Sequence, residues 1–63
     1  MISTYTNVEL SEVAQVCNLA QITPESISFG DGNVSIEFSN RDDAVRYAEE
    51  YLGSSENVSE YVP

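Results

Sequence analysis

The sequence contains no histidine and no lysine, and Cys17 is its single cysteine. Without histidine, the chain lacks the side chain that titrates near neutral pH, and neither a Ser–His nor a Cys–His nucleophile pair can form. A single cysteine excludes a disulfide within the chain, and without histidine it leaves no ligand set for zinc. Because Cys17 falls on the apolar stripe of a predicted helix, we interpret it as a core residue and not as a reactive thiol.

Long hydrophobic runs are also missing. No stretch approaches the roughly 18 apolar residues of a membrane span, and residues 1–6 have neither the basic region nor the apolar run of a signal peptide. We therefore expect a cytoplasmic protein, in the host cytoplasm if the chain is viral, with no membrane partner. The hydrophobic content of 41% is typical of a folded domain and too high for an acidic disordered tail.

The length of 63 residues allows one domain, 1–63. A chain this short buries only about 60% of its unfolded surface, so we expect a marginally stable monomer. Residues 54–63 are interpreted as a flexible or loosely docked tail. A homodimer stays open as a way to gain stability, because no disulfide can form within the chain.

Acidic residues outnumber basic residues by eleven to two, which gives a formal net charge of −9. Only Arg41 and Arg46 oppose the carboxylates. A field of this sign repels nucleic acids and anionic membranes and attracts basic protein surfaces. We therefore expect no direct nucleic-acid binding. Solubility alone and adaptation to high salt also stay open as reasons for the acidity.

Helical spacing appears in the first third of the chain. Apolar residues recur in steps of three and four at Leu10, Val13, Ala14, Cys17 and Ala20. Thr6, followed three residues later by Glu9, has the form of a capping box. These signals predict a helix over residues 7–21, and Pro24 prevents it from continuing.

Two alternating apolar segments around Asp31-Gly32 predict a β-hairpin. An Asp-Gly pair favours a two-residue turn, because both central positions of such a turn need a positive φ. The turn fixes the register, which pairs Gly30 with Asn33, Phe29 with Val34, Ile27 with Ile36, and Ser28 with Ser35. The apolar side chains then share one face of the hairpin and the serines share the other.

A second helix is predicted over residues 40–52. Ser39 or Asn40 is the predicted N-cap, and Asp42 and Asp43 fall in the first turn, where the helix dipole favours negative charge. Gly53 is a natural residue for the position after the helix. The core-facing stripe of this helix consists of Ala44, Tyr47, Ala48, Tyr51 and Leu52.

The charges on this second helix suggest internal ion pairs. Arg46 is four residues after Asp42 and four residues before Glu50. Residues at this spacing are neighbours on a helix surface. We therefore expect both pairs to form, which leaves the rest of the outer face negative.

These elements predict an α+β fold with helix–hairpin–helix (αββα) order and two helices on one face of a small antiparallel sheet. A hairpin alone offers little sheet for two helices, so we expect at least one terminal segment to add a strand. If residues 1–5 and residues 57–62 both add strands, the order becomes βαββαβ.

One segment resembles part of a known family. Val34-Ser35-Ile36-Glu37-Phe38, followed by a capped helix with Ala44 and Ala48, is similar to the third strand and second helix of RNA-recognition-motif domains. The resemblance covers less than a third of the chain. Those domains carry aromatic and basic residues on the open sheet face, where this chain has Ser28, Ser35 and Glu37. The resemblance therefore implies a fold and not RNA binding.

The carboxylates do not form a recognisable catalytic or metal site. Asp42 with Asp43, and Glu49 with Glu50, are neighbours on a helix, and neighbours point about 100° apart. Neither doublet can therefore converge as a catalytic pair in a walled pocket. The residues near Asp31 also lack the spacing of a calcium loop. We expect a protein that is not an enzyme and that needs no cofactor or metal.

The favoured hypothesis is an inhibitor or regulator that occupies a basic, nucleic-acid-binding surface of a partner protein, as a DNA mimic. Duplex DNA carries about one negative charge per 1.7 Å of axis, and a row of carboxylates can present a similar field. The expected partner-binding residues are Asp42, Asp43, Glu49, Glu50, Glu56, Glu60 and Tyr61. Small acidic chains without lysine are similar in type, though not in any shared motif, to phage-encoded inhibitors such as anti-CRISPR proteins.

The alternative hypothesis is a non-mimic interaction module or accessory subunit that works through apolar and tyrosine contacts, with a homodimer as one form. The chain has four tyrosines, Tyr5, Tyr47, Tyr51 and Tyr61, which is many for a core of this size. Tyrosine is enriched at protein interfaces. Tyr47 and Tyr51 lie on the predicted core stripe, so Tyr61 and Val62 near the terminus are the better interface candidates.

Overall fold

A computed structural model describes residues 1–62 as a three-stranded antiparallel sheet with two α-helices. The elements are β1 (Ile2–Thr6), α1 (Leu10–Ala20), β2 (Ser26–Gly30), β3 (Asn33–Glu37), α2 (Arg41–Leu52) and a 3₁₀ helix (Val58–Glu60). The strand order is β1-β3-β2. The predicted α+β class is therefore confirmed.

The hairpin of β2 and β3 has the predicted register. Phe29 lies opposite Val34, and Ile27 lies opposite Ile36. Asp31 and Gly32 form the turn with φ values of 50° and 77°. Both φ values are positive, as a two-residue hairpin turn with a matching twist requires.

One terminal segment extends the sheet, as expected, because β1 pairs with the free side of β3. The βαββαβ order is not confirmed, since Val58–Glu60 forms a 3₁₀ helix and no strand follows α2 within residues 1–62. Asn57, with a φ of 63°, reverses the chain there, and Val62 is only 6% exposed. Pro63, the last residue of the predicted tail, lies outside the described residues.

The predicted capping box at the start of α1 is wrong. Thr6 is the last residue of β1, and α1 begins at Leu10 with Glu9 as an N-cap whose side chain makes no capping bond. Between them, Asn7 has a φ of 57° and donates its backbone N–H to the carbonyl of Gly32 at 3.0 Å. Strand pairing with β3 therefore holds Thr6 away from the helix terminus.

The boundaries of α2 agree with the sequence signals. The side-chain oxygen of Asn40 accepts a hydrogen bond from the backbone N–H of Asp43 at 2.9 Å. At the other end, Gly53 has a φ of 77° and donates its N–H to the carbonyl of Glu49 at 2.9 Å. These two bonds satisfy groups that a helix end otherwise leaves unpaired.

Substitution of Asn40 by alanine is expected to lower the free energy of unfolding by about 1 kcal/mol, because Asp43 loses its capping partner. Glu9→Ala is the matched control at the other N-cap, where no side-chain bond exists, and it is expected to cost much less. Urea unfolding at 25 °C measures both. Equal losses for the two variants would show that the Asn40 cap does not stabilise α2.

The core lies between the helices and one sheet face. Buried residues of α1, α2, β1 and β3 form a single hydrophobic cluster. Four tyrosines contact one another here and are called the tyrosine cluster: Tyr5 and Tyr47 are fully buried in the core, and the half-buried Tyr51 and Tyr61 pack against it. Tyr5 contacts all three of the others, with ring centroids 4.5 to 5.2 Å apart. Edge-on and stacked pairs at these distances add to the stability from buried area.

Candidate functional site

Six of the eleven acidic residues lie on α2 and on the segment that follows it. We call this set the acidic flank: Asp42, Asp43, Glu49, Glu50, Glu56 and Glu60. Five of the six side chains are exposed, and Asp43 is half-buried. The flank contains six of the seven residues that the sequence suggested for partner binding.

The helical repeat explains why α2 presents its acids to solvent. Ala44, Tyr47 and Ala48 are fully buried and define the inner side of the helix. At about 100° per residue, Asp42 and Glu49 both fall on the opposite side. They are seven residues apart, so their positions lie about 10 Å apart along the helix axis. The outer side of α2 therefore carries these two carboxylates, with the half-exposed side chain of Arg46 between them.

Arg46 does not form the two pairs expected from its spacing. Its guanidinium donates a hydrogen bond to the carbonyl of Ala20, and it lies 3.9 Å from the carboxylate of Asp43. The carbonyls at the C-terminal end of α1 carry partial negative charge and lack helical partners, so they attract this cation. Among residues 1–62, no other carboxylate lies within 4.0 Å of an arginine. Asp42 and Glu50 are therefore left without the expected partner.

The C-terminal ends of the two helices enclose a shallow depression of about 470 Å³. Glu49 and Glu50 lie on one side of it, together with Arg46, and Leu19 contributes an apolar surface that is 57% exposed. A long basic side chain of a partner fits this combination. Its aliphatic stem can cover Leu19 while its charged end reaches a carboxylate.

The side of α1 opposite its buried residues carries no charge and consists of Ser11, Ala14, Gln15 and Asn18. Glu12, in the first turn, is the one exposed acid of this helix. The remaining acids lie elsewhere, with Glu9 and Glu12 near the start of α1 and Glu25, Asp31 and Glu37 on the hairpin. α2 therefore presents more carboxylates than α1, together with the two arginines, Arg41 and Arg46.

The structure places Tyr61, the seventh suggested binding residue, within the tyrosine cluster. Its ring stacks on that of Tyr5 with a centroid distance of 4.5 Å and an interplanar angle of 4°. The side chain is half-buried. The acidic flank and Tyr61 therefore present different chemistry, since one is solvated charge and the other is mostly an internal contact.

Sequence reasoning overlooked Phe29 as a surface residue. Its alternation with Ile27 indicated the core side of the hairpin, and its ring does share that side with Val34. It is nevertheless 52% exposed, because β2 lies at the edge of the sheet. The exposure of Phe29 can be predicted only from the order of the strands in the sheet. Alternation of apolar residues along one hairpin does not reveal that order.

Burial changes the ionisation of the interior groups. Desolvation raises the pKa of Tyr5 and Tyr47 well above the ordinary tyrosine value, and neighbouring ionisable groups raise it further. Desolvation also raises the pKa of the Cys17 thiol. A thiol with a raised pKa stays protonated near neutral pH and is a poor nucleophile, which agrees with our interpretation of Cys17 as a core residue.

Two further properties concern the described part of the chain. Nowhere in residues 1–62 do three or more Cys, Asp or Glu side chains gather closely enough to hold a metal ion. None of the helices in that range combines the length and apolar character that a membrane crossing needs. Comparison with protein families, with curated proteins and with solved structures finds no match for this chain.

Proposed function

We propose that this domain is a non-enzymatic inhibitor or regulator that occupies a basic, nucleic-acid-binding surface of a partner protein in the cytoplasm. The acidic flank carries this proposal. Five of its carboxylates are exposed and pair with no arginine among residues 1–62. The net charge of −9 adds a long-range attraction toward any basic surface and a repulsion from nucleic acid itself.

The carboxylates on α2 are spaced more like the phosphates of a single strand than like those of a duplex. The helix has 12 residues, which corresponds to a length of about 18 Å. Its four acids give about one carboxylate per 4–5 Å, against about 3.4 Å per phosphate in one DNA strand. Arg41 and Arg46 lie on the same helix and reduce its net charge to −2, so a partner groove would meet a lower net charge density there than along a strand.

Reversal of two flank charges tests the proposal. Proteins captured from the source cell at low salt would be assayed for binding to labelled DNA, with the domain as competitor. Glu49→Lys together with Glu50→Lys is expected to weaken competition by about tenfold or more at low salt, because favourable charge pairs become repulsive. The effect is expected to shrink as salt rises.

A matched control separates the effect of charge at the acidic flank from the effect of the total net charge. Lysine at Ser11, Ala14, Gln15 and Asn18 changes the net charge by the same +4, but on the uncharged face of α1. This control is expected to weaken competition much less than the double reversal does. Equal loss in both variants would show that only net charge matters. Full competition by the double reversal would contradict the proposal.

The non-mimic interaction module is the second proposal, and exposed apolar residues favour it. Leu10, Leu19 and Phe29 are each more than half exposed. The tyrosines that first suggested this function pack mainly against one another, so apolar contact would come from these three residues and from Ile2, which is 56% exposed. In the same assay, partner binding that resists both salt and flank reversal would support this proposal, in its homodimeric or accessory-subunit form.

A further inference from the structure

The strand β2 has one free edge. Gly30 and Asn33 close the two-residue turn, so Gly30–Asn33 and Ser28–Ser35 are the hydrogen-bonded pairs of the hairpin. The backbone N–H and C=O groups of Ile27 and Phe29 therefore point away from β3. Within residues 1–62, no loop or side chain supplies a hydrogen bond to these four groups. They form a ready template for another strand.

The opposite edge of the sheet is different. The 3₁₀ helix and the residues after it border β1, and a depression there is lined by Ile2 and Thr4 on one side and by Glu60 and Val62 on the other. The C-terminal segment therefore lies beside β1, although no backbone hydrogen bond joins the two within residues 1–62. The strand β2 has no charged residue and no proline from 26 to 30.

An apolar anchor lies beside the free edge. Phe29 is 52% exposed and lines a surface depression of about 580 Å³ together with Val8 and the residues of the hairpin turn. The ring lies on the core side of the sheet, beyond the part that the helices cover. An added strand would bring its own side chains onto that side, because cross-strand neighbours share a face.

Charges at the two ends of β2 specify what kind of strand fits. Glu25 precedes the strand and Asp31 follows it, and both are exposed. We propose that the β2 edge binds an extended segment of the basic partner protein in antiparallel orientation. Residues opposite Asp31, Phe29, Ile27 and Glu25 fall at positions 1, 3, 5 and 7 of that segment. The recognised pattern is therefore basic–x–apolar–x–apolar–x–basic.

A second copy of this chain is a poorer occupant. Antiparallel pairing of two β2 strands about Ser28 places Ile27 opposite Phe29, which satisfies the backbone groups. It also places Glu25 opposite Asp31 twice, and each copy carries a net charge of −9. Like charges directly opposite one another are destabilising. The charges therefore favour a basic partner, and the inference depends on the proposed function in this respect.

A synthetic peptide tests the pattern directly. The probe is an end-capped lysine–serine–valine–threonine–valine–serine–lysine peptide, titrated into the isotope-labelled domain at low salt and followed by amide resonances. The largest shifts are expected at Ile27 and Phe29. A peptide with glutamates in place of both lysines is expected to show no binding, because the end charges then repel Glu25 and Asp31.

Two variants of Phe29 isolate the contribution of the backbone N–H group to peptide binding. Phe29→Thr and Phe29→Pro both remove the ring, but only proline removes the outward N–H, and proline is tolerated where that group does not bond within the sheet. The proline variant is expected to bind about three- to tenfold more weakly than the threonine variant. Retained amide dispersion confirms that both are folded.

Charge variants provide a second readout if the proline variant fails to fold. Glu25→Gln together with Asp31→Asn removes both charges but keeps side chains of similar size. Asparagine also accepts the positive φ at position 31. These changes are expected to weaken peptide binding at low salt, whereas Glu49→Lys with Glu50→Lys leaves it nearly unchanged. Peptide binding that survives while competition with DNA fails would reject the proposed function and retain this inference.

Three results would overturn the inference. The first is equal affinity of the threonine and proline variants for the peptide. The second is a set of peptide-induced shifts confined to the acidic flank. The third is a dimer by sedimentation whose dilution shifts the amides of Ile27 and Phe29, which would assign the edge to a second copy.

Discussion

Replacement of Tyr5 by alanine is expected to leave the domain unfolded at 25 °C. The ring is completely buried and contacts the other three tyrosines of the cluster. Truncation of a buried aromatic residue to alanine costs about 3–5 kcal/mol. A chain of this size gains only about 3–5 kcal/mol of net stability from its core. The destabilisation by this substitution is therefore as large as the total free energy of unfolding. Far-ultraviolet circular dichroism measures the outcome.

Tyr5→Phe is the matched control for this substitution. It keeps the ring and removes a hydroxyl that is buried without a hydrogen-bond partner among residues 1–62. An unpaired buried hydroxyl costs about 1–3 kcal/mol, so this variant is expected to be at least as stable as the original chain. A cooperative, nearly unchanged urea transition for Tyr5→Ala would show that the cluster is not central to the core.

Raising the pH above 10 is expected to unfold the domain in a narrow interval. Burial raises the pKa of Tyr5 and Tyr47 in the folded state, and an unfolded tyrosine titrates near 10. The folded state therefore holds its phenolic protons longer. The corresponding stability is fully present below pH 10 and is lost as the pH rises from 10 toward the native pKa values. At pH 11 the raised pKa values of the two residues together lower the free energy of unfolding by about 3 kcal/mol.

The composition makes this transition unusually easy to interpret. The chain has no lysine, and its two arginines stay charged throughout this pH range. Besides these two tyrosines, burial raises the pKa of Tyr51 and Cys17, which shifts stability in the same direction. Loss of circular dichroism is expected to coincide with the rise in tyrosinate absorbance.

Tyr47→Phe serves as the control for the alkaline transition and is expected to move its midpoint to higher pH, because one buried ionisable group is removed. Titration of Tyr5, Tyr47 and Tyr51 near pH 10, with the fold retained, would contradict the expectation. It would mean that the rings of the cluster are reached by solvent without unfolding.

Local signals predicted the hairpin and α2 correctly, because each depends on residues close together in the chain. The turn at Asp31-Gly32 and the alternation around it determine one register. Asn40 and Gly53 mark the ends of α2 through bonds to residues three and four positions away. Such interactions do not require knowledge of the rest of the fold.

The failures occurred where distant segments compete for the same residue. Thr6 has the sequence context of an N-cap, yet pairing with Asn33 in β3 makes it part of a strand. The C-terminal segment has the composition of a strand, yet Tyr61 and Val62 gain burial against the core as the chain turns at Asn57. Tertiary packing overrides local preference in both cases.

In the candidate sites, too, features set by nearby residues were predicted and features set by distant segments were not. Exposure of Asp42 and Glu49 follows from helical periodicity alone, and the sequence indicated it. The contact of Arg46 with the carbonyl of Ala20 depends on how α1 and α2 pack. The spacing of residues along one helix does not predict that packing. The exposure of Phe29 depends on the strand order and on how far the helices extend over the sheet.

The pairing of β1 also has a consequence for the order in which the chain folds. Its pairs run from Ile2 with Glu37 to Thr6 with Asn33, so each closes a loop of about 30 residues. Contacts over such separations form late, while the hairpin closes through two turn residues. During synthesis, the strand that leaves the ribosome first is therefore among the last to dock. Until it does, the place of the Tyr5 ring among the other tyrosines stays unfilled.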